Sequence, residues 1–193
     1  MTRFLSLPVA VIALALLGGC AGSPAARFYT LSAGQPPEPV RTANPVDIAV
    51  DSVSVPELVD RPQLVLRVDA NEVRIDEFAR WAEPLKSQIP RVLAADLTQS
   101  IPGATVSSYP QRANPAAYRV SVDVQTFDSA PGDAVTVAVL WSVHPPKQGA
   151  TLSGRTVAHE PTGAAGYDAL VDAHSRALAA VSRDIAAAIR STL

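Results

Sequence analysis

Cys20 is the only cysteine in the 193-residue chain, and it closes the run Leu17-Gly18-Gly19-Cys20. The residues ahead of it point to a fate for the thiol. Arg3 supplies a short positive segment, and residues 7–17 are apolar apart from Pro8. That run fits the roughly 7–15-residue apolar core of a secretion signal and falls short of the roughly 20 residues needed to span a bilayer. Gly18 and Gly19 are small, as a peptidase requires just before its cut. A cysteine placed directly after the cut offers a thiol for acylation. Each buried CH₂ of an acyl chain contributes about 0.8 kcal/mol, so several chains anchor a soluble domain. The plainer alternative is an ordinary cleaved signal that happens to contain a cysteine. On the lipoprotein reading no thiol remains, so the fold has no disulfide and no thiolate ligand and must rest on a hydrophobic core. Ala21 follows Cys20 where an Asp would favour the inner membrane. The expected location is therefore the outer membrane, lipid-anchored and facing the periplasm.

The expected organisation is a signal peptide over 1–19, then the lipidated cysteine, a short β-prone segment and a Pro-rich linker over 20–45, and an α+β domain over 46–193. Pro36, Pro37, Pro39 and Pro45 mark the linker. If residues 28–31 pair into a sheet, only 21–27 remain as tether, and the domain sits close to the membrane. With 48% apolar and 18% charged residues the chain can bury a core, and its formal charge of −2 suggests neither a nucleic-acid partner nor a polybasic membrane patch.

Periodicity supplies the elements. Residues 46–55 alternate, with a phase shift near Asp51 that reads as a bulge. Residues 64–68 and 72–78 flank Asp69-Ala70-Asn71 and read as a β-hairpin. A helix is expected over 82–100, with Pro84 in its first turn, Leu85, Ile89, Leu93 and Leu97 on one face, and a bend or restart at Pro90. A short strand at 105–109 precedes alternating runs at 118–127, 134–143 and 151–159, which read as an antiparallel meander. A long amphipathic helix over 165–193 closes the chain. The expected fold class is α+β, a single domain with a mostly antiparallel sheet packed against two helices.

The polar residues offer little chemistry. His144 and His159 end successive strands and are candidate cross-strand neighbours, but they lack the spacing and acidic partners of a metal signature. His174 falls on the apolar face of the last helix and reads as a half-buried packing residue. Asp76, Glu77 and Glu83 are better read as solvated charge beside Arg74 and Arg80 than as a carboxylate pair for acid catalysis. Trp81 and Trp141 are core or rim residues, or else an apolar wall for lipid or a partner. Asp60-Arg61-Pro62-Gln63 is a turn held by an Asp–Arg pair, or an interface. No nucleophile elbow, zinc helix or phosphate loop occurs, so no enzyme, metal or cofactor is expected.

The run from Val53 through Asp60-Arg61-Pro62-Gln63 to Val65, followed by Asn71 and by Glu77-Phe78-Ala79-Arg80-Trp81-Ala82-Glu83-Pro84-Leu85, resembles the signature of the ABC-type transport auxiliary lipoproteins of the PqiC-like group. Arg27-Phe28-Tyr29-Thr30-Leu31, the stretch 118–128, Trp141 and Gly166-Tyr167-Asp168-Ala169-Leu170-Val171 continue it. The resemblance implies a non-enzymatic outer-membrane lipoprotein beside an MCE-domain (PqiB-like) protein and its associated permease, supporting lipid movement and envelope integrity. It also implies a possible homo-oligomeric ring. It makes Asp60, Arg61, Pro62, Gln63, Arg80, Trp81 and Pro84 either partner-binding or a structural signature. The competing classes are a lipoprotein that itself binds a lipid or small hydrophobic ligand, which needs an apolar pocket, and an envelope hydrolase, which needs two carboxylates or a Ser–His pair converging in a cleft.

Overall fold

The computed structural model describes residues 24–34, 46–108, 114, 116–146 and 149–193. Cys20, the signal peptide expected ahead of it and most of the Pro-rich stretch lie outside these residues. Within them the order is β1 (Arg27–Tyr29), β2 (Asp47–Ser54), β3 (Gln63–Arg67), β4 (Val73–Trp81), α1 (Leu85–Ser100), β5 (Thr105–Ser107), β6 (Tyr118–Ser129), β7 (Ala134–His144), β8 (Leu152–Pro161) and α2 (Tyr167–Arg190).

The fold is α+β, with two helices among the described residues. The β3–β4 hairpin and the β6–β7–β8 meander form as their alternation predicts. The strands divide between two sheets rather than one, a five-stranded sheet in the order β5-β2-β6-β7-β8 and a three-stranded sheet in the order β1-β4-β3. Both are mixed: β2 runs parallel to β5 and to β6, and β1 runs parallel to β4. Alternation records which face of a strand is buried, not the direction of its neighbour, so the parallel pairs left no mark in the sequence. The phase shift near Asp51 is a register shift between Val50 and Ser52, and Asp51 Oδ1 accepts from Arg119 Nη1 on β6 at 2.9 Å.

Both helices lie on one face of the five-stranded sheet and pack against each other, α1 over β2 and β5, α2 over β7 and β8. Leu85, Ile89, Leu93 and Leu97 of α1 meet Leu170, Leu178, Val181, Ile185 and Ile189 of α2 and the inward valines of β6 and β7 in one buried cluster. α1 begins at Leu85, with Pro84 as its N-cap, where the missing N–H costs nothing. It continues through Pro90 to Ser100 as one helix, so no restart occurs; the ring forfeits one i→i−4 hydrogen bond. α2 starts after Gly166, whose φ of 113° closes the region to most side chains. Asp168 in its first turn and Arg190 in its last complement the helix dipole. The smaller sheet turns Tyr29, Leu64, Leu66, Ala79 and Trp81 inward. Its β3 lies against β6, where Arg67 Nη2 meets Asp128 Oδ1 at 2.7 Å.

Candidate functional site

The small sheet brings β1, at residues 27–29, beside the β3–β4 hairpin at residues 63–81. Gln63 pairs with Arg80, but the next residue, Leu64, pairs with Asp76, so Glu77, Phe78 and Ala79 bulge out of β4. Asp76 holds that bulge. Its Oδ1 accepts the N–H groups of Phe78 at 2.9 Å and Ala79 at 3.0 Å, and its Oδ2 accepts from the Tyr167 hydroxyl at 2.5 Å. The Tyr167 bond, with help from the two backbone donors, keeps the Asp76 carboxyl below its ordinary range, while burial and the carboxylate push Tyr167 up to about 12. Tyr167 also meets Tyr29 edge-on at 5.8 Å, which ties β1, β4 and the start of α2 together.

Beyond the bulge, Trp81 N donates to Pro62 O at 2.7 Å and Ala82 N donates to Tyr29 O at 2.8 Å. These two bonds gather Asp60, Arg61 and Pro62, Arg80 through Pro84, and Phe28 around one open cleft of about 370 Å³. Trp81 is buried at its base, and Phe28 stands 65% exposed. Of the signature residues, Gln63 alone lies outside the lining; its Nε2 donates to Glu77 Oε2 at 3.1 Å.

The charges of the cleft are unevenly matched. The expected Asp60–Arg61 pair does not form: Asp60 instead binds Lys86 Nζ at 2.6 Å, because one turn of α1 delivers the lysine to it. Glu83 binds Arg91 at 2.6 Å. Arg80 is hooked by its Nε to Glu77 O at 2.9 Å and approaches the Glu77 carboxylate at 3.6 Å. Arg61 has no ion-pair partner among the described residues, and its Nε is buried without any hydrogen bond.

The chain entering and leaving β1 is fixed by one buried amide. Gln88 on α1 accepts from Leu31 N at 2.7 Å and Thr30 Oγ1 at 3.1 Å and donates to Glu83 O at 2.7 Å. Sequence periodicity gives no sign of Gln88, which sits beside Leu85 and Ile89 on the buried face; a polar residue breaking an apolar stripe is the available signal. Phe28, likewise, is in the sequence only one letter of a β-prone run.

The histidines do not form a site. His144 lies opposite Arg119 on β6, whereas His159 lies opposite Thr136 at the far end of β7, so they are not cross-strand neighbours. The register of a long antiparallel pair separates two residues that both end strands. His174 is fully buried rather than half-buried. It stacks on Phe127 at 4.0 Å with 5° between the rings, meets Trp81 edge-on at 6.3 Å, and lies 2.7 Å from Ser129 Oγ through Nε2. Burial alone pulls its pKa down to about 3, so the ring is neutral. A Ser–His pair is the first half of a hydrolytic triad, but both side chains are buried and Nδ1 has no hydrogen-bond partner to orient it. Trp141 is half-buried; its indole donates to Thr156 Oγ1 at 3.0 Å, and that hydroxyl donates on to Asp184 at 2.6 Å. Its ring crosses Gly154 so closely that a Cβ there would lie 2.2 Å from it. Among the described residues no cluster of three His, Cys, Asp or Glu is placed to hold a metal, and no helix is long and apolar enough to cross a membrane.

The comparison that decides the family is a match to the model of the ABC-type transport auxiliary lipoprotein component over residues 29–186. The chain belongs to that family. The match runs from β1 almost to the end of α2 and includes every residue of the cleft except Phe28. Among solved structures, the crystal structure of an uncharacterised protein superposes with a TM-score of 0.73 at 23% identity, covering 86% of this chain and 99% of that one. A DUF330 protein from Xanthomonas campestris superposes at 0.64 with 17% identity, covering 86% and 100%. At these identities the likeness speaks for the shared fold. The curated proteins contain no match.

Proposed function

We propose that this auxiliary transport lipoprotein is a non-enzymatic, lipid-anchored outer-membrane subunit of an MCE-type intermembrane lipid transport system. It faces the periplasm, docks the periplasm-spanning MCE-domain (PqiB-like) protein that works with a permease, and supports envelope integrity. The observation that carries this reading is the family match over almost the whole domain, joined to a cysteine site only seven positions ahead of β1. Because β1 is paired with β4 and the chain beyond it is tied to Gln88, the tether from Cys20 spans at most about 25 Å. A tether that short holds the domain against the bilayer, where a docking collar has to sit. Self-association into a ring is part of the proposal: β8 is an edge strand of the larger sheet, and Val157 on it is 52% exposed.

Within the signature, Pro62, Trp81 and Pro84 shape the cleft, Asp60 and Gln63 fix the segments beside it, and Arg61 and Arg80 give it charge. Purification of the acylated protein from membranes should bring down an MCE-domain protein; recovery without any envelope partner would sink the docking role. Mass spectrometry of the mature N-terminus should show acylated Cys20. A Cys20→Ser variant should fold normally yet fail to restore envelope integrity in a deletion strain, and full rescue by it would count against anchoring as part of the mechanism.

A further inference from the structure

We propose that the Arg61–Arg80 cleft binds the phosphate of an anionic phospholipid in the bilayer that holds the anchor, with Phe28 set among the acyl chains at its rim. The inference rests on the lipid-anchor reading for its geometry and deepens it: the anchor fixes distance, and the cleft fixes orientation.

The distribution of charge leads to it. The two carboxylates that line the cleft each have a cation from outside it, Asp60 with Lys86 and Glu83 with Arg91, while Arg80 in the lining only approaches Glu77 beside the cleft at 3.6 Å. Arg61 is left over, and so is Arg27 beside Phe28, which has no ion-pair partner among the described residues. Arg61 is half-buried and lines the cleft, and its Nε is buried without a hydrogen bond, so the guanidinium has donors that no group of the protein satisfies. Phosphate suits the planar donors of arginine better than it suits a lysine. A soluble anion alone would not call for an aromatic side chain standing 65% exposed at the mouth. Phenylalanine is among the side chains that seat the apolar side of an interfacial segment at the boundary of headgroups and acyl chains. The position agrees: Phe28 lies eight residues from Cys20, so the tether cannot carry the cleft more than about 30 Å from the acyl chains. Basic side chains near an anionic leaflet each strengthen binding about fivefold.

The test uses the full mature chain carrying Cys20→Ser, so that acylation cannot mask binding. It is sedimented with phosphatidylcholine vesicles and with vesicles of phosphatidylcholine and phosphatidylglycerol at low salt. The protein should favour the anionic vesicles. Arg61→Gln and Arg80→Gln should each weaken that binding about fivefold, and the double variant should fall to the level seen with phosphatidylcholine. Phe28→Ser should weaken binding to both vesicles, while Arg155→Gln on β8, far from the cleft, should change nothing. An unchanged double variant overturns the proposal, as does an equal loss in Arg155→Gln, which would reveal only general charge attraction. Inorganic phosphate should compete weakly with the vesicles. Phosphate that saturates the cleft, read by Trp81 fluorescence, while vesicles do not bind would assign the site to a soluble anion and overturn the lipid reading. Capture of a carboxylate-terminated peptide with no preference among vesicles would do the same in favour of a protein partner. Urea unfolding checks each variant; if Arg61→Gln is unfolded, Arg80→Gln and Phe28→Ser decide between the outcomes. Unacylated Cys20 in the native protein would undercut the anchor without touching the vesicle result, so the two failures are distinguishable.

Discussion

Between the five-stranded sheet and the helices, Val120, Val137 and Val139 meet Leu178, Val181, Ile185 and Leu93, all fully buried and all aliphatic. At the three-stranded end, the joints between elements are polar: Gln88 to Leu31, Asp76 to Tyr167, Arg67 to Asp128, Trp81 N to Pro62 O. Aliphatic packing is non-directional and scales with the area removed from water. Hydrogen bonds contribute less each but fix a direction. The first region thus carries most of the stability. The second sacrifices some of it to hold a bulge, an unpaired arginine and an exposed phenylalanine in one arrangement. That contrast is what a scaffold with a site grafted on one end should show.

The contrast predicts a hierarchy of effects. Leu178→Ala opens a cavity in the aliphatic region and should cost about 3 kcal/mol of global stability, read as a lowered urea midpoint with an unchanged slope. A loss below about 1 kcal/mol would mean that the helices are not close-packed on the sheet. Gln88→Ala strikes the other region. It leaves the buried Leu31 N–H without an acceptor and should cost about 2 kcal/mol. Its signature is local: hydrogen exchange should rise through β1 and its partner residues 79–81 while the meander stays protected. Uniform loss of protection would erase the distinction between the two regions.

His174 sits where the regions meet, stacked on Phe127 of the large sheet and edge-on to Trp81 of the small one. Its folded pKa of about 3 lies below the unfolded value near 6.5, so the unfolded chain binds the extra proton between those limits. The stability it contributes is therefore present above about pH 6.5 and declines as pH falls, by about 1.4 kcal/mol per unit, or about 2 kcal/mol at pH 5. Asp96 works in the opposite sense: burial raises its carboxyl, so its protonation favours the fold as the solution becomes more acid. Comparing wild type with His174→Phe at pH 7 and pH 5 isolates the histidine. A pH slope that survives the substitution would assign the effect elsewhere.

The aliphatic region is largely legible in the sequence, and the polar end is not. The four-residue spacing of Leu85, Ile89, Leu93 and Leu97 and the alternation through Val120, Val122 and Val124 each encode a face, and the faces found each other. Asp69 announces its turn because its side chain accepts the N–H groups of Asn71 and Glu72. The three-residue bulge after Asp76 has no such local mark, since its closing partner, Tyr167, lies 91 positions away. Adjacency in the chain suggests Arg61 as the partner of Asp60, whereas α1 brings Lys86 closer. The resemblance singles out Asp60 through Gln63 and Arg80 through Pro84 as one group, but only the Trp81–Pro62 bond explains why they belong together.

Tyr167→Phe is the mildest way to sharpen the contrast, because it removes one bond of the polar end and almost no apolar surface. Asp76 keeps its two backbone donors and its exposure to water, so the expected loss is about 1 kcal/mol at neutral pH. The hydroxyl holds the Asp76 carboxyl below its ordinary range; the stability from that contact is present above the unfolded pKa near 4 and fades as pH falls through the depressed folded value. The variant should therefore differ from wild type at pH 7 and converge with it in strong acid, opposite in range to the His174 effect that begins near pH 6.5. Convergence is the diagnostic outcome. A deficit that persists unchanged at low pH would mean that the hydroxyl stabilises the fold independently of the Asp76 charge, since phenylalanine keeps the ring against Tyr29.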